Sequence, residues 1–298
     1  MTTRAGFVGL AGRPNVGKST LENTIVGAKV AIVSDRPQTT RRAVRGIATD
    51  PGGAWQMVLV DLPGVQRPRD DLTQRMQHRV EQELADADAV LLVVDGEQGV
   101  GPGDRFIART LIGAGAGTHV VCAVNKIDRA RKPAIAKVLV DVEGLEVADD
   151  IFPVSAKRGT GIAPLVERLV ELLPEGPLLY PPQERTDAAP QTRLAELIRE
   201  QVLRRTREEI PHAIEVMVTE IERREDGLVE VHAEVWADTE SQKGILVGRG
   251  GKMVRDVGAA ARRELERELD ARVYLDLQVR VRRHWRRDEA LLDRLGIE

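Results

Sequence analysis

The sequence predicts two folded units: an α/β unit with a mostly parallel sheet, followed by a smaller α+β unit. Short apolar runs alternate with amphipathic stretches over residues 6–173, which is the pattern of a parallel sheet with helices on both faces. Five prolines then fall between residues 174 and 190, where they block helix continuation and strand pairing. We therefore predict domains over residues 1–174 and 191–298, joined by a stiff proline-rich linker over 175–190.

The elements of the first unit follow from its residue patterns in chain order. Continuous apolar runs indicate buried strands, at residues 7–10, 55–60, 90–94, 120–124 and 151–154. Residues 42–49 alternate in polarity, so we predict an edge strand there. Amphipathic stretches indicate helices, at residues 17–27, 73–87 and 162–173.

The second unit has a different order of elements. A helix is predicted first, and two strands follow it around a turn with Gly227. A glycine-rich loop then leads into another helix, and a strand with strict alternation ends the unit. The predicted bounds are 191–209 for the helix, 213–221 and 228–236 for the strands, about 269 for the end of the second helix, and 272 for the start of the last strand.

The composition is typical of a globular protein of a reducing compartment. Hydrophobic residues make up 42% of the chain, charged residues 31%, and the net charge is −3. The lone cysteine, Cys122, lies in an apolar run and cannot form an internal disulfide, so we expect an inert buried thiol. No apolar run reaches membrane-spanning length, and the N-terminus lacks the apolar core of a signal peptide. We expect a cytoplasmic protein without a zinc site.

Residues 12–19 read Gly-Arg-Pro-Asn-Val-Gly-Lys-Ser, a phosphate-loop pattern between a predicted strand and a predicted helix. The glycines let backbone N–H groups converge on an anion, and the helix start adds its positive end. Lys18 can reach the β- and γ-phosphates of a nucleotide, and the Ser19 hydroxyl can ligate Mg²⁺. The alternative is a turn that holds no ligand. We assign nucleotide binding here to Gly12, Arg13, Pro14, Asn15, Val16, Gly17, Lys18, Ser19 and Thr20.

A second signal, Asp-Leu-Pro-Gly at residues 61–64, follows the strand at 55–60. Asp61 would stand level with the phosphates and hold Mg²⁺, often through water. Gly64 would let a backbone N–H approach the γ-phosphate. Alone this pattern is weak, and a simple strand-end turn is the alternative. We assign Asp61, Leu62, Pro63 and Gly64 to the nucleotide site.

A third signal, Asn-Lys-Ile-Asp at residues 125–128, fits a guanine base. The Asp128 carboxylate can accept from both N1–H and the exocyclic amine of guanine, a donor pair that adenine lacks. Asn125 would tie this loop to the phosphate loop, and the Lys126 stem would lie over the base. Ser-Ala-Lys at residues 155–157 fits a backbone donor to the guanine carbonyl. We assign the guanine end to Asn125, Lys126, Asp128, Ser155, Ala156 and Lys157, and expect GTP or GDP with Mg²⁺ as ligands.

Together these signals resemble the translation-factor-related GTPases, whose fold is a P-loop NTPase G domain. Residues 34–42, Ser-Asp-Arg-Pro-Gln-Thr-Thr-Arg-Arg, resemble the first switch of the bacterial Era-like family in particular. The resemblance implies that Thr40, or else Thr39, closes on Mg²⁺ when the γ-phosphate is present. The alternative is a polar loop whose threonines face water.

The sequence indicates the residues that would catalyse hydrolysis less clearly than those that would bind the nucleotide. Val65 stands where Ras-like enzymes carry a water-orienting glutamine, so intrinsic hydrolysis is expected to be slow, on the order of 10⁻³ to 10⁻² s⁻¹. In the resembling GTPases an asparagine at the position of Asn15 helps hold K⁺ beside the phosphates, whereas on physical grounds alone Asn15 fits loop capping equally well. We assign catalytic roles to Lys18, Asn15, Thr40 and Gly64, and the resemblance implies stimulation by K⁺.

The second unit carries a candidate nucleic-acid loop, Gly-Arg-Gly-Gly at residues 248–251. A G-x-x-G loop at a helix start suits the clamping of a nucleic-acid backbone, although a lone G-x-x-G is usually only a turn. Residues 243–287 hold 13 Lys/Arg and 6 Asp/Glu, whereas residues 199–242 hold 6 and 12. Such sorting of charge is the electrostatic footprint of nucleic acid, and a solvated polar face is the alternative.

This half resembles a KH domain of the bacterial type, and residues 279–289 are similar to the C-terminus of the Era-like family. The resemblance covers essentially the whole chain. It implies binding to the 3′ end of 16S rRNA and a role in maturation of the 30S subunit, as a monomer. The basic residues are also compatible with weak peripheral membrane association. We assign RNA contacts to Lys243, Gly248, Arg249, Gly250, Gly251, Lys252 and Arg255.

Two residues depart from the family pattern, and two other functions are also compatible with the sequence. Leu62 stands where the family usually has Thr, and Glu22 where it usually has an apolar residue. One rival is an RNA scaffold that binds nucleotide without useful hydrolysis, a reading that Val65 supports. The other keeps the GTPase but assigns it to tRNA modification or membrane-linked signalling.

Overall fold

The computed structural model describes residues 2–34, 39–63, 70–113, 118–206, 210–295 and 297. The chain divides into two compact units, one ending at Asp187 and the other running from Ala188 to Ile297. The first is α/β and the second α+β, which confirms the predicted fold class. Among the helices of these residues, none is long and apolar enough to cross a membrane.

The first unit is built on a six-stranded sheet in the order β2-β3-β1-β4-β5-β6. The predicted edge strand β2 lies at one edge and runs antiparallel to β3, while the other pairings are parallel. The strands are β1 Arg4–Ala11, β2 Val44–Thr49, β3 Trp55–Asp61, β4 Ala89–Asp95, β5 His119–Asn125 and β6 Asp150–Pro153. The helices are α1 Lys18–Val26, α2 Asp71–Ala85, α3 Pro102–Gly113, α4 Lys132–Glu143 and α5 Ile162–Leu172.

Both faces of this sheet are covered, which explains why β4 is one continuous apolar run. Leu91 points into a cluster with Leu21 of α1 and Leu165 of α5. Leu92 points into the opposite cluster with Ile107 of α3. Because the strands are parallel, the carboxyl ends of β1, β3, β4 and β5 meet at one edge of the sheet, where ligands bind in such folds.

Helix boundaries differ from the prediction where local caps decide them. The helix predicted from residue 73 begins at Asp71, because the Asp70 side chain accepts from the Thr73 N–H in a capping box. Helices α3 and α4 were not predicted individually. Gly103 and Gly113 weaken the helix signal of α3, and packing of buried Ile107 against the sheet stabilises it instead.

Most of the proline-rich stretch that we predicted as a linker lies with the first unit. The Gln56 side chain donates to the Tyr180 carbonyl at 2.9 Å and accepts from the N–H groups of Leu179 and Tyr180 at 2.8 Å each. The Ile47 N–H donates to the Arg185 carbonyl at 2.8 Å, along the edge strand β2. Prolines remove backbone donors but leave carbonyl acceptors, so this segment can still cover the sheet edge.

The second unit has a three-stranded sheet in the order β7-β8-β9, with β7 antiparallel and β9 parallel to β8. β9 is therefore an edge strand. The strands are β7 Glu215–Arg223, β8 Val229–Ala237 and β9 Val273–Val281. The helices are α6 Pro190–Arg205, α7 Ile210–Ala213, α8 Glu240–Val247, α9 Lys252–Leu269 and α10 Glu289–Arg294.

Candidate nucleotide site and candidate nucleic-acid interface

The phosphate loop between β1 and α1 has a backbone that only some residues can adopt. Gly12 has a φ of +153°, and a Cβ there would lie 2.6 Å from the Val93 carbonyl oxygen. Asn15 has a φ of +66°, a left-handed conformation that asparagine tolerates better than most residues. The loop therefore takes a shape in which glycine is required next to a buried strand.

Lys18 begins α1, and its side chain folds back across the loop. The buried Nζ donates to the carbonyls of Gly12 at 3.0 Å and Arg13 at 3.2 Å. Among the described residues, these bonds use two of the three ammonium N–H groups, which leaves one for a ligand. Burial lowers the pKa of Lys18, and the nearby Asp61 carboxylate opposes that shift.

Ser19, Thr40 and Asp61 bring their side-chain oxygens together beside Lys18. The Asp61 Oδ2 accepts from Ser19 Oγ at 2.5 Å and from Thr40 Oγ1 at 3.1 Å, and the two hydroxyls lie 3.3 Å apart. Asp61 is fully buried, its Oδ1 has no hydrogen-bond partner within the described residues, and burial raises its pKa. Hard oxygen ligands around an unsatisfied buried carboxylate oxygen fit Mg²⁺.

Asn125 joins the loops that follow β1, β5 and β6. Its Nδ2 donates to the Val16 carbonyl at 3.0 Å, and its Oδ1 accepts from the Ala156 N–H at 3.0 Å. Asn125 is buried at the end of β5. The Ala156 N–H thus serves this framework, and Lys157 lines the cavity beside it.

Asp128 stands in an environment that keeps it ionised. Its Oδ1 accepts from Ser155 Oγ at 2.6 Å, and its Oδ2 lies 3.9 Å from Arg158 Nε. The Ser155 hydrogen bond is the main cause that lowers the pKa of Asp128, with smaller contributions from Arg158 and Lys157. An ionised carboxylate can accept hydrogen bonds only, as guanine recognition requires.

Lys126 contacts a residue that the sequence did not single out. Its Nζ donates to the Asn15 carbonyl at 2.6 Å and to Asp95 Oδ2 at 2.7 Å. Asp95 ends β4 at the same sheet edge as the other motifs. Each of the recognised motifs also follows a strand end, but no sequence pattern of its own marks Asp95.

One cavity of about 420 Å³ contains both ends of the predicted site. Its lining includes Lys18 at one end and Asp128 at the other, and its size suits a small-molecule ligand. The lining residues from the predicted set are Pro14, Asn15, Gly17, Lys18, Ser19, Thr20, Thr39, Thr40, Asn125, Lys126, Asp128, Ala156 and Lys157. Val33, Ser34 and Arg129 also line it and were not among our assignments.

Several predicted residues lie outside this lining. Four of them instead form hydrogen bonds to residues that line the cavity: Gly12, Val16, Asp61 and Ser155. The Arg13 side chain instead pairs with Asp104 of α3, with 2.8 Å between Nε and Oδ2. Gly64 and Val65 lie outside the described residues.

Leu62 is a departure that the structure explains. It is fully buried in a cluster with Val60 and Val80, so its side chain belongs to the core rather than to a ligand contact. Its neighbour Pro63 is also buried and does not line the cavity. Glu22, the other departure, is fully buried in α1, where its carboxylate faces Gly46 of β2.

In the second unit, the glycine-rich loop between α8 and α9 has open space beside its last two glycines. Gly250 and Gly251 have φ values of +59° and +75°, and a Cβ at either would meet nothing within 4 Å. Gly248 has no such room, since its Cβ would lie 2.7 Å from Met253 Cβ. Arg255 Nη2 donates to the Gly250 carbonyl at 2.9 Å and so braces the loop.

The basic residues around this loop differ in exposure. Arg249 and Lys252 are exposed, and Lys243 is half-buried on α8. A groove of about 450 Å³ runs beside the loop, between α9 and the edge strand β9. Its lining is Val254, Arg255, Gly258, Ala259, Arg262, Val273, Tyr274, Leu275, Asp276 and Leu277.

Tyr274 is a candidate contact for a nucleic-acid base. It lies on the edge strand β9, is 54% exposed and lines this groove. Trp236 and Trp285 are fully buried and so cannot stack on a base. Gly258 and Ala259 leave the α9 side of the groove open.

Comparisons with known proteins agree with this arrangement. A family described as 50S ribosome-binding GTPase matches residues 7–126, and one described as KH domain matches residues 209–286. GTPase Era from Mycobacterium bovis (strain BCG / Pasteur 1173P2) is 46% identical over 296 residues, which is 98% of each chain. GTPase Era from Mycolicibacterium smegmatis is 43% identical over 296 residues, again 98% of each chain.

A solved structure is similar over nearly the full length. An Era variant from Aquifex aeolicus bound to GDP and AlF4⁻ has a TM-score of 0.94 and 33% identity, and the match covers 99% of each chain. A second Era structure, in complex with MgGDPNP and nucleotides 1506–1542 of 16S ribosomal RNA, has the same values. The chain belongs to the Era family of GTPases, with a GTPase domain followed by a KH domain.

Proposed function

We propose that this protein is a GTP-hydrolysing switch that binds the 3′ end of 16S rRNA and acts in maturation of the 30S subunit. The observation that carries the nucleotide part is that Lys18 and Asp128 line one cavity. A ligand that fills it needs a polyphosphate at one end and a pair of N–H donors at the other, as GTP and GDP have. The solved Era complex with 16S rRNA nucleotides supports the RNA part.

In this proposal the phosphate loop and Lys18 hold the phosphates, and Asp128 accepts from guanine. Ser19, Thr40 and Asp61 would hold Mg²⁺, which when bound neutralises charge on the β- and γ-phosphates. Asp61 Oδ1, which no described residue satisfies, supports this assignment. GTP, GDP and Mg²⁺ are thus the proposed ligands of one site.

Thr40 is the proposed sensor of the γ-phosphate. Its hydroxyl lies 3.1 Å from Asp61 Oδ2, whereas Thr39 Oγ1 lies 3.5 Å from the Ser34 carbonyl. A switch threonine is ordered by the γ-phosphate and Mg²⁺ and released after hydrolysis. RNA affinity would then depend on which nucleotide is bound.

Hydrolysis is proposed to be slow and stimulated by K⁺. The exposed Asn15 lines the cavity near the phosphate loop, which supports a K⁺ ligand there. Single-turnover hydrolysis in KCl and in NaCl tests this, with Asn15→Gly as a variant whose backbone tolerates a positive φ. Stimulation by KCl that Asn15→Gly loses supports the proposal. Absence of hydrolysis in both salts would favour the RNA scaffold instead.

The second unit is proposed to clamp single-stranded RNA as a monomer, with weak membrane association as a secondary property. The open space beside Gly250 and Gly251 and the exposed cations Arg249 and Lys252 support a phosphate clamp. Filter binding of a single-stranded oligomer with the sequence of the 16S rRNA 3′ tail tests it, with a GTP analogue or GDP present. Tighter binding with the analogue is expected. Equal affinity in both states would remove the switch.

A further inference from the structure

The segment from the end of β4 to the first turn of α3, residues 95–104, contacts the phosphate loop directly at Arg13 and indirectly, through Lys126, at Asn15. We propose that this segment positions the phosphate loop through two carboxylates: Asp95, which acts through Lys126, and Asp104, which acts through Arg13. The inference rests on the proposed nucleotide site and adds two positioning residues that touch no nucleotide themselves.

Asp95 reaches the phosphate loop through the Lys126 ammonium group. Lys126 Nζ lies 2.7 Å from Asp95 Oδ2 and donates to the Asn15 carbonyl at 2.6 Å. Asp95 is 1% exposed, so solvent screens this ion pair little. The ammonium group is therefore held between a strand-end carboxylate and a carbonyl of the phosphate loop.

Asp95 is itself held by the backbone of its own loop. Its Oδ1 accepts from the N–H groups of Glu97 at 2.9 Å and Gln98 at 3.1 Å. The Gly96 N–H donates to the Asn125 carbonyl at 2.7 Å, which joins this loop to the guanine motif. The carboxylate is thus a fixed anchor rather than a side chain that follows Lys126.

Asp104 anchors the phosphate loop from the other side. Its Oδ2 lies 2.8 Å from Arg13 Nε and accepts from the Gly101 N–H at 2.8 Å. Arg13 Nη2 also donates to the Gly99 carbonyl at 3.0 Å. Asp104 is fully buried in the first turn of α3, where the helix dipole favours a negative charge.

The two anchors hold residues on either side of Pro14. Arg13 is held by its side chain and Asn15 by its carbonyl, so the segment between them cannot shift independently of the sheet edge. Loop N–H groups that are fixed before binding lose less entropy when an anion binds. Loss of either anchor should weaken GDP and GTP binding by the same factor and leave the preference for guanine unchanged, because Asp128 is not altered.

Double-mutant cycles on the full-length chain test the proposal. GDP and GTP dissociation constants are measured for Asp95→Asn, Lys126→Met and the double variant, and for Asp104→Asn, Arg13→Gln and their double. We expect each double variant to bind no more weakly than its worse single variant, with a coupling of about tenfold in affinity. The control cycle is Asp150→Asn with Arg168→Met, an ion pair that is also 2.7 Å long and lies outside the cavity lining. It should show no coupling.

The outcomes separate this inference from the proposed function. Additive effects in both test cycles, or equal coupling in the control cycle, would overturn the positioning roles. A wild-type chain that binds no guanine nucleotide would overturn the proposed function instead. If the aspartate variants do not fold, Lys126→Arg and Arg13→Lys keep the charge opposite each carboxylate. They should retain more GDP affinity than Lys126→Met and Arg13→Gln, and equal losses would contradict the proposal.

Discussion

Gly17 and Asn125 approach so closely that residue 17 has no room for a side chain. A Cβ on Gly17 would lie 2.4 Å from the Asn125 Nδ2. That amide also donates to the Val16 carbonyl at 3.0 Å and so connects the phosphate loop with the guanine motif. The glycine of one motif is therefore required by the asparagine of another.

Gly17→Ala should weaken GDP binding at least about tenfold, because it displaces the Asn125 amide as well as straining a φ of +101°. Gly27→Ala is the matched control, since Gly27 has a φ of +73° but nothing within 4 Å of its Cβ position. We expect the control to lose roughly 1–2 kcal/mol of folding stability and to keep its GDP affinity. Titration calorimetry and thermal unfolding measure both, and similar affinity losses in the two variants would contradict the account.

Thr40→Ala should reduce the preference for a GTP analogue over GDP by about tenfold, because its hydroxyl lies within the Ser19 and Asp61 cluster. Thr39→Ala removes a hydroxyl from the adjacent residue, whose bond to Ser34 is long at 3.5 Å. Thr39→Ala should therefore reduce the preference for the GTP analogue less than Thr40→Ala does. Dissociation constants for both nucleotides with Mg²⁺ present check the comparison, and a larger loss in Thr39→Ala would reverse our assignment.

Ser155→Ala should shift the acid limb of stability to higher pH. Asp128 has a pKa below its ordinary 3.8, mainly because Ser155 donates to it. A carboxyl with a lowered folded pKa adds stability above its unfolded pKa and loses it as pH falls through the folded pKa. Removal of the donor raises the folded pKa, so this stability should be lost at a higher pH in acid unfolding. The shift should vanish in an Asp128→Asn background, and its persistence there would point to another group.

Tyr274→Ala should weaken binding of single-stranded RNA by about tenfold or more, since stacking on an aromatic ring contributes about 1–3 kcal/mol per base. Tyr274 is 54% exposed and lines the groove beside β9. Tyr274→Phe keeps the ring and should bind like the wild type in filter binding. A loss that is as large in Tyr274→Phe would assign the effect to the hydroxyl rather than to stacking.

Features whose chemistry is local could be predicted from sequence. The glycine spacing of residues 12–19 and the Asn-Lys-Ile-Asp run at 125–128 each follow an apolar strand, so their elements were predictable as well. Strand positions agreed within a few residues, because buried parallel strands are continuous apolar runs. The observed helix ends differ from the predicted ones where a capping residue such as Asp70 determines where the helix begins.

Features that depend on distant contacts could not be predicted in this way. Asp95 carries no motif of its own, and its importance appears only when β4 and β5 bring it to Lys126. Leu62 lies within a motif by position, but its side chain packs in the core. The proline-rich stretch indicated a linker, whereas its carbonyls bond to Gln56 and to the edge strand.

The central claim is that one cavity binds phosphates at Lys18 and guanine at Asp128. The most direct measurement is the affinity of wild type and Asp128→Asn for GDP and xanthosine diphosphate. Xanthine has a carbonyl where guanine has its exocyclic amine, so the amide N–H of Asn can donate to it. We expect that wild type prefers GDP and that Asp128→Asn prefers the xanthine nucleotide. An unchanged preference for GDP in Asp128→Asn would contradict it.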